Sequence, residues 1–178
     1  MGRFDSIPDI KGKLEDFEIQ CVMDFWGDPV RNMLDQSIEK EVFEPYQNGE
    51  YYYSLIRFET YISIVILKML LQKCPSKILP PLKRKSGLGW LADLEPIIKK
   101  LHRGLKAHLR WFRECFKGEV PNQLIQDLHI IRELRNAYAH RLTPVQVIFT
   151  DDEHEEILQA IRNTWQDLRK EYCRVVPE

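Results

Sequence analysis

The stretch Tyr51-Tyr-Tyr-Ser-Leu-Ile-Arg-Phe-Glu-Thr-Tyr-Ile-Ser-Ile-Val-Ile-Leu-Lys-Met-Leu-Leu-Gln-Lys73 decides the fold class. It is the most apolar segment of the chain. Its richest part, Tyr61 to Leu71, is interrupted by Ser63 and Lys68 and falls well short of the roughly 20 residues that a membrane span needs. The segment therefore reads as a helix through the centre of a bundle. Glu59 sits inside it, where an ionised carboxylate is costly unless paired, so a partner is expected in Arg135 or Arg57.

Working outward, helical periodicity dominates and long alternating strand patterns are absent, so the fold class is all-α, a bundle of five to six helices. Upstream, one helix is expected over Lys13 to Phe25. A second is expected over Pro29 to Val42, with Asp28 as N-cap and Pro29 at the first position, where proline costs least. Gln47-Asn48-Gly49 marks a turn. Downstream, the proline-, glycine- and lysine-rich run from Cys74 to Gly89 reads as a connection, and a helix follows from Trp90 or Pro96 to Lys117, with a break at Gly104 and Gly118 as its C-cap. The next helix covers Pro121 to Leu142, because Thr143-Pro144 steers the backbone out of the α region. Val145 to Phe149 reads as a short extended segment. The last helix opens on Thr150-Asp-Asp-Glu153, a capping box with acids in the first turn, and runs to about Tyr172.

With 178 residues, 44% of them apolar, the chain reads as one domain spanning 1–178 with a substantial core. Lys plus Arg number 26 against 27 for Asp plus Glu, so no global field draws the molecule to nucleic acid or membrane, and any such contact must come from a local patch. Cys21, Cys74, Cys115 and Cys173 form no C-x-x-C pair, which argues against a zinc knuckle and a secreted disulfide framework. A cytoplasmic location, no membrane association and no metal or other cofactor are expected. No secretory signal is read at the N-terminus, where Arg3, Asp5 and Pro8 interrupt any apolar segment.

Chemistry concentrates in Arg132-Glu-Leu-Arg135-Asn136-Ala-Tyr-Ala-His140-Arg141-Leu142. With Arg132 set at 0° and about 100° per residue, Arg135 falls near −60°, Asn136 near 40°, His129 near 60° and His140 near 80°. Leu124, Ile131, Leu134 and Tyr138 collect on the opposite side as an apolar stripe. The helix is thus expected to dock by one face and to present the other, cationic and imidazole-bearing, to a ligand. Near the helix end the macrodipole favours a charged His140 while Arg135 and Arg141 disfavour it, so its imidazole is expected to titrate near neutrality.

At Arg135-Asn136-Ala-Tyr-Ala-His140 the sequence resembles the HEPN superfamily, small helical domains whose signature is an Arg followed four to six residues later by His, often with a polar residue directly after the Arg. An Arg-x4-His spacing arises by chance in roughly one chain in five of this length, and Arg-Asn-x3-His in roughly one in a hundred. Asn136 therefore carries most of the resemblance. In catalytic members the motif implies metal-independent endoribonuclease activity, with two protomers joining their Arg and His residues in one cleft, and a defence or toxin role with an antitoxin as a partner protein. Other members are noncatalytic regulators, and the mannitol operon repressor family carries a similar string. One toxin-type subgroup adds an aromatic residue two positions after the His; Leu142 stands there, which puts that subgroup's specific activity in doubt.

Metal-free RNA cleavage needs a base for the 2′-OH, stabilisation of the phosphorane, and an acid for the leaving oxygen. His140 can exchange the proton, Arg135 can offer a fork of donors to phosphate oxygens, and Asn136 can orient the imidazole or the phosphate. One protomer supplies a single motif histidine, hence the expectation of a homodimer. His129, Arg132 and Arg141 are candidate substrate contacts beside these, and Lys83, Arg84 and Lys85 a candidate phosphate grip. Glu59 is the candidate positioning group for Arg135. The stretch Lys99-Lys100-His102-Arg103-Lys106-His108-Arg110 is the other dense basic region, and Tyr51, Tyr52 and Tyr53 read as core or interface packing rather than a base-stacking platform. The rival expectation is a noncatalytic module of the same shape that binds a partner protein or nucleotide.

Overall fold

The computed structural model describes residues 36–75, 104–139 and 149–176, and among them five helices occur and no strand. Helix α1 spans 36–47, wound as a π-helix over Glu39–Phe43 and as an α-helix over Glu44–Gln47. Helices α2 (Tyr51–Lys73), α3 (Leu105–Cys115), α4 (Asn122–Ala139) and α5 (Asp151–Val175) follow. The all-α class is as the sequence pattern indicates. The helix expected over Lys13 to Phe25, most of the connection after Cys74 and most of Val145 to Phe149 lie outside the described residues.

Helix α2 has the bounds read from the sequence and packs against each of the other four helices. Leu55, Phe58, Ile62, Val65, Ile66, Leu67, Met69 and Leu70 are all buried along it. Taking such a side chain out of water is worth about 1.5–3 kcal/mol, so this one element organises the core.

The second expected helix does not stop at Val42. It continues through Glu44 and Pro45 to Gln47, and the π turn explains how. Proline lacks an amide hydrogen and its ring collides with the carbonyl four residues back, which a regular α-helix cannot absorb. Here the amide of Glu44 bonds instead to the carbonyl of Glu39, five residues back, and the wider turn makes room. Ser54, buried on α2, donates its hydroxyl to the Val42 carbonyl at 2.7 Å and ties the widened turn to the central helix. Gly49 then takes φ +82, the left-handed conformation that lets the chain reverse into α2.

Helix α3 begins directly after Gly104, the expected break, and is strongly two-sided. Leu105, His108, Leu109, Trp111 and Phe112 face the core, while Lys106, Arg110 and Arg113 are exposed. Helix α4 buries Leu124, Ile125, Leu128, Ile131 and Tyr138, with Leu134 half-buried, so the expected apolar stripe is the docking face. The capping box of α5 is complete: the Thr150 amide donates to Glu153 Oε2 at 2.7 Å and the Glu153 amide donates to Thr150 Oγ1 at 3.3 Å. That helix extends to Val175, three residues past the expected end, because Leu168 and Tyr172 keep its inner face in the core. Arg162 on α5 meets Glu39 on α1 through two hydrogen bonds, at 3.2 and 2.9 Å, and lies over the Phe43 ring. No described helix is long and apolar enough to cross a membrane.

Candidate functional site

The second half of α4 lies against the first half of α2, and the contact is built around charge. Arg135 projects from α4 onto Glu59 of α2, its Nε donating to Glu59 Oε2 at 2.5 Å, and its Nη1 donates to Asn136 Oδ1 at 2.9 Å. The Glu59 side chain is only 12% exposed and that of Arg135 30%, so the carboxylate is nearly withdrawn from water while the guanidinium straddles the surface. The hydrogen bond to Glu59 is the main reason the guanidinium's pKa rises above its ordinary value; partial burial opposes it, and the charges of Glu59 and Tyr52 add to it. Of the two expected partners for Glu59, the structure selects Arg135, because Arg57 pairs with Glu41 at 2.9 Å. With Nε–H and one Nη1 hydrogen engaged, three of the five guanidinium N–H donors are left over.

The polar face of α4 is divided between two neighbours. Arg135 and His129 stand about 120° apart around the helix at 100° per residue, and they turn to opposite sides: Arg135 to α2, His129 to a cleft shared with α3. Arg132 lies between them and donates to Glu133 at 2.7 Å. His140 and Arg141 lie outside the described residues, as do Lys83, Arg84 and Lys85. In the second basic stretch, Lys106 and Arg110 are exposed whereas His108 is buried in the core, and the remaining members lie outside the described residues.

One cluster is not legible in the sequence. His154, the first residue after the capping box, is clasped by aromatic groups from three other helices. Its ring stacks on Tyr51 at 3.7 Å and 4°, its Nδ1 meets the Tyr46 hydroxyl at 3.1 Å, and its Nε2 meets the Tyr138 hydroxyl at 3.3 Å. A neutral imidazole donates at one nitrogen and accepts at the other, so it can satisfy both hydroxyls at once. Tyr51 is thus a packing residue, as expected, and Tyr52 and Tyr53 are about half exposed. The cluster pins the end of α4 that carries Arg135 and Asn136 to the starts of α2 and α5. The only sequence signal is a histidine placed next to a cap.

Among the described residues, no group of three or more His, Cys, Asp or Glu side chains is placed to hold a metal ion. Comparison with protein-family models, curated proteins and solved structures finds no match to this chain.

Proposed function

We propose that this chain is a HEPN-type domain that acts as a metal-independent endoribonuclease, as a cytoplasmic homodimer of defence or toxin type restrained by an antitoxin-like partner. The observation that carries the reading is the clamped guanidinium: Arg135 is held from behind by Glu59 and from the side by Asn136, leaving donors free for a phosphate oxygen. An arginine already fixed in orientation loses little freedom when it binds a phosphoryl group, which is how such a group stabilises a developing phosphorane. His140, next but three along the chain from Asn136, supplies the proton transfer in this reading, and the second protomer supplies a second imidazole.

The same clamp favours one rival. Glu59 neutralises Arg135, and a noncatalytic module that binds a partner protein or nucleotide would use the pair as a strut between α2 and α4. Cleavage of RNA pools in excess EDTA separates the two. The enzyme reading requires 2′,3′-cyclic phosphate ends, a pH profile set by an imidazole, and a loss of about 10²-fold or more in His140→Ala and Arg135→Lys. Lysine keeps the charge and lacks the fork, so the second substitution tests donor geometry in a folded protein. A dimeric wild type that cleaves none of the pools, or cleavage by both variants undiminished from wild type, rejects the enzyme reading.

A further inference from the structure

Helix α3 carries Lys106, Arg110 and Arg113 at i, i+4 and i+7, a spacing that lines them along one edge of the helix. All three are exposed, and none is engaged in an ion pair among the described residues. Together with Gly104, Ala107, Leu109 and His129 of α4 they line a cleft of about 490 Å³, and no carboxylate is among the described lining residues. The cleft also reaches the start of α3. Gly104, its N-cap, has no side chain to accept from the leading amides, and the first turn contains no acid. A helix N-terminus is the positive end of the macrodipole, where a lysine is repelled and an anion is attracted.

We propose that this cleft binds the phosphate of a nucleotide, with Lys106, Arg110, Arg113 and His129 around the anion and the open start of α3 directed at it. The apolar floor at Ala107 and Leu109 suits the flat face of a base, and the volume lies within the range of small-ligand sites. Phosphate is favoured over a carboxylate-bearing peptide because two forked guanidinium groups lining one cleft beside a helix start suit an anion with several acceptor oxygens. The His129 pKa is lowered first by burial, then by the charges of Arg132, which is not among the lining residues, and of Arg113, with Glu133 opposing them. The site shares no residue with the Arg135–Asn136 clamp, so it stands or falls apart from the cleavage reading.

The test is binding of the full-length protein to a fluorescently labelled oligouridylate and to ATP, followed by anisotropy and calorimetry between about 50 and 200 mM salt. Wild type is expected to bind, with affinity falling linearly on logarithmic axes. Arg110→Ala combined with Arg113→Ala should weaken binding at least about tenfold and flatten the salt slope by up to about 0.7, the share of one phosphate neutralised on a single strand. Lys106→Gln should give a smaller loss of the same kind, and Lys170→Gln, exposed on α5 and not among the lining residues, should bind like wild type. ATP that saturates the protein and displaces the strand identifies a free nucleotide as the ligand; strand binding without ATP binding identifies a nucleotide within a strand. The inference is overturned by no binding of either probe at the lowest salt, by unchanged affinity in both sets of cleft variants, or by polyglutamate binding as tightly as the oligonucleotide.

Discussion

Replacing Arg135 by alanine should destabilise the protein even though the residue reaches the surface. The substitution leaves the Glu59 carboxylate, 12% exposed, without the donor that compensates its burial. Removing one partner of a fully buried pair costs about 3–5 kcal/mol, whereas exposed pairs are worth about 0–1 kcal/mol. This pair is buried at one end and half-open at the other, so the expected cost is about 2 kcal/mol, or about 4–8 °C in Tm for a chain of this size. Glu59→Gln should cost less, about 1 kcal/mol, because the amide oxygen can still accept from Arg135 Nε. The double variant Glu59→Gln with Arg135→Ala should recover part of the loss, since a neutral amide is cheaper to strand than a carboxylate. Urea denaturation at pH 7 is the assay. A deficit under about 0.5 kcal/mol, or a double variant no better than Arg135→Ala, would mean that water already reaches Glu59 and that the clamp holds nothing.

Leu128, fully buried on α4, should cost about 2–5 kcal/mol on replacement by alanine, measurable by the same denaturation. Leu134, half-buried, should cost less than Leu128, which reverses the weight that the helical projection alone would give it. Burial of Tyr46 is the chief cause of a phenol pKa raised far above its ordinary value, with Tyr138 and Tyr51 adding to it. The unfolded chain therefore releases that proton first, and stability should fall as pH rises above about 10. Absorbance titration of phenolate should leave Tyr46 out of the count until the protein unfolds, and a Tyr46→Phe variant should lose that tyrosine's share of the alkaline decline.

Most of the fold is written in local signals. The bounds of α2 follow from its apolar run, the break at Gly104 and the reversal at Gly49 from glycine, and the start of α5 from a capping box that folds as its spacing requires. Each of these depends on residues within one or two turns. What the local pattern misses depends on distance. The continuation of α1 past Val42 needs a π turn around Pro45, secured by Ser54 of another helix, and nothing near Pro45 announces that support.

The site divides in the same way. A carboxylate at Glu59, stranded in an apolar run, demands a cation, and the sequence narrows the choice to Arg57 or Arg135 without being able to choose; the pairing of Arg57 with Glu41 from α1 settles it. The helical projection places His129, Arg132 and Arg135 on one face, which is correct as angle and incomplete as environment. An arc of about 120° is wide enough to meet two different neighbours, and here α2 takes Arg135 while α3 takes His129. One polar face thus serves two purposes, an acid-clamped guanidinium on one flank and a cation-lined cleft on the other. The His154 cluster explains why the first can hold its geometry: an imidazole that satisfies two tyrosine hydroxyls and stacks on a third ring fixes the end of α4 against α1, α2 and α5. Its four contributors are scattered from Tyr46 to His154, so only the folded chain brings them together.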